Sequence, residues 1–579
     1  MVGGTRIRTV FARMALGLAL TGPCAALAAG ESRQTDMQPQ GLDFVGLYAL
    51  RQMDPSLTGA GARITVLARS RTYLDNQPQN DYQPNLDHHC FGAARVQMLD
   101  SGRGQSGICD HSTAVCSILA GEDREAAAPF LGRFHYQGVA PQADLDVVEL
   151  WHFLTDRVFR QSQVKADVVT LSSGSDFEDW WTRGLESMAE RQGLLVVGSI
   201  GNGTDALHPP LFPGAGSNVL GVGVVDPVRS SDLATSIAQF SLARPEHSSC
   251  GPTADSRCKP DLVAPGHCLV ASATDPNGYE LTDSGSSFAT PIVAGIAALL
   301  KQKAKQDPGL APANLPETSA CLIKAVLMNS AVKLPYWHKG KVGLEDDRFV
   351  PLDHAQGAGL IDAVGAYDQL TAGRFQPGPV KASGWDVGRV AKTRAQVYQI
   401  DLPRPAGQMI TATLVWNRHY QSTYPFDCLA DLSANLRLQV WAADPANPRR
   451  DILIDSSDSP VDNVEHIHVK TNPRYRTYQI VVLWSEPDDG KAVQDEEPYG
   501  LAWRVAPPRQ DHSILWDDLN GDGVVDDLDY ARLVQNWGAS LQSSNRYAVG
   551  DINSDGAIDG TDLEILTAHG ARRAEWYTP

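Results

Sequence analysis

The segment Gly285-Ser286-Ser287-Phe288-Ala289-Thr290-Pro291-Ile292-Val293-Ala294-Gly295 decides the fold. Small residues lead into an apolar helical pattern, with Pro291 tolerated in the first turn. Ser287 therefore falls at a helix N-terminus, where unpaired backbone amides and the helix dipole face its hydroxyl. Just upstream, Lys259-Pro260-Asp261-Leu262-Val263-Ala264-Pro265-Gly266 reads as a strand and loop feeding that helix. Outward from this unit, between residue 64 and about residue 370, short β-branched runs (64–68, 167–171, 194–197 and 219–225) alternate with helix-like stretches. The alternation predicts an α/β domain built on a doubly wound parallel sheet.

The pattern changes after the Pro- and Gly-rich passage 375–379. Runs such as 410–416, 436–441 and 478–484 follow one another without intervening helices, which predicts an all-β domain, a sandwich. Pro507 and Pro508 then open a short tail. With 579 residues, 42% of them hydrophobic and 20% charged, the chain can bury several full-sized cores. Its net charge of -19 argues against a nucleic-acid partner or an anionic membrane surface, both of which demand a basic face.

Arg6, Arg8 and Arg13 precede an apolar run over 14–20 and the small residues Ala26, Ala28 and Ala29, the order of a secretory signal peptide spanning 1–29. That run is too short to span a bilayer, and no later one reaches about 18 apolar residues, so no membrane span is expected. A secreted or periplasmic protein follows. Eight cysteines remain after the signal, and export permits disulfides. Their connectivity cannot be read from spacing, although Cys250 and Cys258 are close enough for a local bridge. Cys116 reads as a small buried thiol in a helix.

The tail holds a duplication. Asp518, Asn520, Asp522, Gly523 and Asp529 recur 33 positions later as Asp551, Asn553, Asp555, Gly556 and Asp562. Oxygen ligands at loop positions 1, 3, 5 and 12, a Gly at 6 for the sharp turn and the position-7 carbonyl (Val524, Ala557) describe an EF-hand-type site, and hard oxygen donors select calcium. Each loop runs into a short apolar-patterned helix ending at Gly538 or Gly570. The repeat resembles a type I dockerin, which implies a cohesin-like protein partner; Asp527-Leu528 and Gly560-Thr561 do not repeat each other at the positions that usually face one.

Residues 285–295, with 259–266 before them, resemble the nucleophile motif of the subtilisin-like serine peptidases (subtilases), making Ser287 the nucleophile. His111-Ser112-Thr113-Ala114-Val115-Cys116 resembles the family's histidine motif, with His111 as general base and Ser112 in place of the usual Gly; Gly138-Val139-Ala140-Pro141 is the next landmark. Gly198-Ser199-Ile200-Gly201-Asn202-Gly203 resembles the segment whose Asn donates to the oxyanion, which assigns that role to Asn202 beside Gly201. Ser172, Ser173 and Gly174 end a strand where subtilases pair an extended polypeptide substrate. The resemblance covers roughly 42–373 and continues into the β domain, where Leu414-Val415-Trp416 and Asp462-Asn463-Val464-Glu465 are similar to the jelly-roll that follows some subtilase cores. The implied organisation is a signal peptide (1–29), a peptidase domain (30–373), a β-sandwich (374–508) and a dockerin-like domain (509–579). A start near Gly30 would leave less chain before Gly41-Leu42-Asp43-Phe44 than the family's usual propeptide.

The departure lies at the first landmark. Gly61-Ala62-Arg63-Ile64-Thr65-Val66-Leu67-Ala68 matches the strand leading to the triad Asp, but the expected position reads Ser70, flanked by Arg69 and Arg71. That Asp fixes the tautomer of the His and stabilises the imidazolium; losing it alone costs about 3 × 10⁴ in kcat. The neighbouring strand offers Glu149 near its C-terminal end as a substitute, while Asp110 is expected to point away from the imidazole. The family resemblance implies a serine endopeptidase; the missing acid makes a protein that binds peptide without cleaving it efficiently the competing class.

Each tail loop gathers carboxylates whose mutual repulsion opposes folding until a divalent cation neutralises it. The isolated tail should bind two calcium ions by calorimetric titration, and Asp522→Ala and Asp555→Ala should each remove one. Chelation should abolish its helical circular dichroism; a tail that stayed helical in chelator would contradict the reading.

Overall fold

The computed structural model describes residues 42, 45–92, 95–99, 106–128, 132–133, 135–203, 209–227, 240–243, 248–282, 285–334, 337–339, 347–429, 434–485, 495–506, 525–535, 537–538, 558–568 and 570. The signal peptide and Gly30 lie outside them. So do eight expected calcium ligands, Asp518, Asn520, Asp522, Val524, Asp551, Asn553, Asp555 and Ala557.

The expected β-branched runs form the main sheet. Its strands are β1 (Arg63–Ala68), β2 (Arg95–Met98), β3 (Asp144–Glu149), β4 (Val168–Leu171), β5 (Leu195–Ser199), β6 (Val219–Pro227), β7 (Phe240–Ala243) and β8 (Leu262–Pro265). They lie in the order β7-β6-β5-β4-β1-β3-β2, with β8 also paired to β6. Every pairing is parallel except β6 with β7. Strands such as β4, buried at every position, read as continuous apolar runs because helices cover both faces. The order reverses around β1, and the C-terminal ends of β1 and β4 open where a doubly wound sheet builds its site.

Helices α1 (Asp110–Ala120), α2 (Trp180–Gln192), α3 (Ser286–Gln306) and α4 (Ser319–Ser330) pack on this sheet. Helix α2 is closed at both ends by local chemistry: Asp179 caps its first turn, and Gly193 takes the left-handed conformation after its last residue. Cys116 is fully buried in α1, as expected.

The chain after residue 374 forms two further sheets. One orders β9 (Gly378–Val380), β11 (Gln396–Asp401), β16 (Thr477–Trp484), β13 (Leu436–Ala443) and β14 (Ile452–Ser457); the other orders β10 (Ser383–Ala391), β17 (Glu496–Ala506), β12 (Met409–Trp416) and β15 (Val464–Lys470). Alternate side chains from both, including Tyr398, Leu414, Leu438, Ile480 and Trp503, share one core. Helix α4 lies so close to β17 that a Cβ at Gly500 would stand 2.5 Å from the Leu322 nitrogen, so only glycine fits there.

A loop from the β sheets also enters the main domain. Phe426 is fully buried among Val158, Trp181, Leu185 and Met188, although its φ of 58° is a left-handed value that side chains resist. Around it, Ser187 Oγ donates to Gln421 O, Gln161 Nε2 to Ser422 O, and His419 bridges Glu190 of α2 and Glu497 of β17.

The local bridge allowed for Cys250 and Cys258 does not form. Cys258 is packed inside with its Sγ toward Leu352 O, and burial pushes its thiol well up. Among the described residues no helix is long and apolar enough to cross a membrane.

One buried charge cluster ties the main domain together. Asp261 Oδ2 accepts from Gly221 N and from Lys259 Nζ, each at 2.6 Å, while Oδ1 pairs with Lys324 Nζ of α4 at 2.9 Å. All three side chains are at most 4% exposed. Burial alone would raise the Asp261 carboxyl, but the two ammonium groups hold it below its ordinary value; burial brings Lys259 down to about 7. Asp261→Asn would leave two buried cations without their counter-charge. It should cost about 3–5 kcal/mol of stability by denaturant titration, and a loss under about 1 kcal/mol would show that water or another group replaces the carboxylate.

Candidate active site

Ser287 stands one residue inside α3, which begins after the extended Gly285 with no side-chain cap. Pro291 has no N–H to give the carbonyl four residues before it, so Ser287 O is left for another donor. Ser172, just past β4, supplies it: Ser172 Oγ donates to Ser287 O at 2.8 Å, and Ser287 Oγ donates in return to Ser172 O at 3.0 Å. The hydroxyl of the expected nucleophile thus rests on the edge that ends β4. Ser173 and Gly174 continue this edge, half-buried, before Ser175 pairs with Phe212.

Asn202 reaches the same helix start. Its Oδ1 accepts from Ser286 N at 2.7 Å and from Ser286 Oγ at 2.8 Å. A backbone N–H can only donate, so Oδ1 is the anchored end and the Nδ2 donors are held by it. Ser286 Oγ itself accepts from Gly201 N at 3.0 Å and is 1% exposed. Gly201 has a φ of 106°, and a Cβ there would lie 2.7 Å from Ser249 Oγ. Ser286 is thereby the joint between Gly201, Asn202 and α3.

His111 opens α1 on the far side of a cleft of about 330 Å³, lined by Leu67, Ala68, Arg69, Arg71, Cys109, Asp110, His111, Ser112, Ser172 and Ser173. Solvent reaches the imidazole through the cleft, yet the walls surround it, and this desolvation lowers its pKa against the opposing pull of Asp110. The ring lies 5.9 Å from that of Phe288 and, among the described residues, has no hydrogen-bond partner. Asp110 turns away to Arg71 Nη1 at 3.2 Å, as expected. Ser112 is buried in the cleft wall.

Two expectations about the acid are corrected. Glu149 does end β3 beside Ala68 of β1, but no hydrogen bond joins it to His111. It is fully buried, and its Oε2 accepts from Trp151 N at 2.7 Å and His152 N at 3.1 Å, because the chain turns at once into the short helix Leu150–Phe153, whose first amides need a cap. Nor does Ser70 face the cleft. Its Oγ donates to Gln79 O at 2.6 Å, and the end of β1 meets the cleft through Ala68 and Arg69. The cleft end of β1 carries a methyl group and two guanidiniums, and no carboxylate.

In the tail, α5 (Asp527–Gln535) and α6 (Gly560–Ala568) begin alike. Asp529 Oδ2 accepts from Asp526 N and Asp562 Oδ2 from Asp559 N, at 2.7 and 2.9 Å, and both carboxylates are fully buried. Gly538 N donates to Ile558 O, joining the two repeats. Two equivalent buried carboxylates at the last position of oxygen-rich loops fit calcium as the group they would hold. Among the described residues no group of three or more His, Cys, Asp or Glu is arranged for a metal.

Residues 81–359 match the model of the subtilase family (Peptidase_S8), and residues 517–569 that of the dockerin type I domain. The first match begins beyond β1 and takes in His111, Asn202 and Ser287. The chain is 31% identical to serine protease AprX of Bacillus subtilis (strain 168) over 235 residues, 34% of this chain and 50% of AprX. It is 27% identical to the intracellular serine protease of Paenibacillus polymyxa over 287 residues, 47% of this chain and 76% of that protein. Against the solved structure of the patellamide maturation protease PatA, 54% of this chain and 98% of that chain align at 23% identity, with a TM-score of 0.37.

The Ser286 joint has a kinetic signature. Ser286→Ala removes one hydrogen bond that orients Asn202, worth about 1 kcal/mol. It should lower kcat on a peptide substrate about 3- to 10-fold at little change in KM, and Ser286→Thr should restore it. An effect on KM alone would place Ser286 outside oxyanion chemistry.

Proposed function

We propose that this chain, a member of the subtilase family over residues 81–359 that carries a type I dockerin domain over 517–569, is an exported serine endopeptidase acting through an acyl-enzyme on Ser287. The observation that carries this reading is the fixed Asn202, whose carbonyl oxygen is occupied by Ser286 while its amide donors stand at the helix start that presents Ser287. A substrate backbone would add to the edge at Ser172, Ser173 and Gly174, displacing the Ser287 hydroxyl from Ser172 O. His111 would take the Ser287 proton as the oxygen attacks the carbonyl and return it to the leaving amine, while Asn202 Nδ2 and the first amides of α3 hold the oxyanion.

The domain organisation is a signal peptide at 1–29, the peptidase domain at 30–373, a jelly-roll-like sandwich at 374–508 and the calcium-binding tail at 509–579. The loop oxygens of 518–529 and 551–562 would hold two calcium ions, and these would order the helices for a cohesin-like partner. Calcium would supply countercharge and no chemistry.

A second reading, a pseudopeptidase that binds peptide without efficient cleavage, is favoured by one observation: among the described residues no carboxylate pairs with His111, and β1 meets the cleft through Ala68. A fluorophosphonate probe separates the two. Ser287 should be labelled in folded protein, and Ser287→Ala should abolish labelling; no labelling at all would establish the pseudopeptidase. Because desolvation lowers the His111 pKa, the imidazole is a neutral base from a lower pH than usual. The acid limb of the labelling rate should therefore fall below the ordinary histidine value of about 6.5, and a limb above it would mean that an acid pairs with His111 after all.

A further inference from the structure

The cleft beside His111 has a composition of its own. Two guanidiniums, Arg69 and Arg71, and one carboxylate, Asp110, line it, so the local balance is positive in a chain whose net charge is -19. Arg69 is exposed and, among the described residues, has no polar partner. Arg71 spreads across the mouth, donating to Ile108 O and Asp110 Oδ1. Helix α1 starts in the same wall without a side-chain cap, which directs its positive end into the space. On the floor, Ala68 occupies only the volume of a methyl group, and the His111 ring meets the cleft with its polar atoms unpaired among the described residues. Cations, a helix N-terminus and an unpartnered imidazole around an open volume select an anion that is planar, small and able to accept several hydrogen bonds at once.

We propose that this cleft is a carboxylate subsite, and that a carboxylate bound between Arg69, Arg71 and His111 does for the imidazole what an acid at the end of β1 would have done. The proposal rests on the peptidase reading of Ser287 and His111 and adds to it the class of ligand that switches the site on. The bound carboxylate accepts from the ring N–H directed away from Ser287, fixes the tautomer and stabilises the imidazolium that forms when Ser287 loses its proton. It gains and loses no bond of its own. Its source is either an acidic residue of the substrate or a small free carboxylate; the arginines recognise both alike.

The experiment uses the full-length protein with calcium and follows three quantities. Fluorophosphonate labelling of Ser287 and cleavage of an uncharged peptide are measured against formate concentration, with chloride holding the ionic strength constant. Both rates should rise at least about tenfold and saturate, recovering part of what an absent acid costs, and the rise should vanish in Arg69→Gln and Arg71→Gln. Peptides that differ by a single Glu for Gln, without formate, test the other source: a preference for Glu of about tenfold or more that the Arg71→Gln variant loses, with formate inert, assigns the subsite to the substrate's own side chain. Labelling that proceeds with no response to formate, and no Glu preference, overturns the subsite and leaves the peptidase reading standing. If Ser287 never labels, the peptidase reading falls, and the His111 ring resonance decides the subsite alone: formate should raise its apparent pKa in the wild type and not in Arg71→Gln, and an unmoved resonance overturns the proposal.

Discussion

The arrangement depends on one buried carboxylate. Asp261 holds Lys259, Lys324 and the amide of Gly221 around itself, and Lys259 and Lys324 also donate to Val219 O, at 2.9 and 3.1 Å. One anion thereby ties the start of β6, the approach to β8 and the middle of α4. Gly266, just past β8, accepts from Gly285 N at 3.1 Å at the start of α3, so the helix that presents Ser287 is anchored from here. Helix α4 is the surface on which β17 lies, so the sandwich is seated from here too. An apolar replacement could match the packing, but not three separate backbone and side-chain partners at fixed angles. Charge in the interior costs solvation and returns geometry.

The active site divides in the same way into what is held and what is not. Asn202 is fixed through Ser286, and Ser287 is paired to Ser172 in both directions. Among the described residues, His111 has only the neighbouring Phe288 ring and the cleft walls. On the proposed roles, the oxyanion donor is thus held in place, while the base has no polar partner among the described residues. These two contributions are separable in principle, because a positioned donor lowers the barrier even where proton transfer is poor.

Much of the fold was legible because it rests on period and punctuation. Short β-branched runs gave the parallel strands, uninterrupted strands after residue 375 gave the later sheets, and the order of small residues around Ser287 gave the helix start. What escaped concerns where a side chain turns after its strand ends. Glu149 has the right place on the sheet, but the chain bends into a helix one residue later, and the unpaired amides of that turn claim its carboxylate. Ser70 falls where the motif suggests, yet the strand ends at Ala68 and the hydroxyl of Ser70 turns to Gln79 O. The role of Ser286 was hidden because a hydroxyl that joins three elements looks, in sequence, like any small residue at a helix start. Cys250 and Cys258 are near neighbours in the chain, but spacing says nothing of direction, and Cys258 points its sulfur inward to Leu352.

The ring of Phe426 bears on how such a protein can be cut, copied or recombined. It comes from the β sheets and completes a core otherwise made by Val158, Trp181, Leu185 and Met188, with Gly184 leaving the room it needs. A fragment severed near residue 374 would keep a hole the size of a phenyl group and a Glu190 without its histidine. The two halves are therefore one unit of inheritance: a gene fusion that exchanged the sandwich for another would have to bring its own phenylalanine.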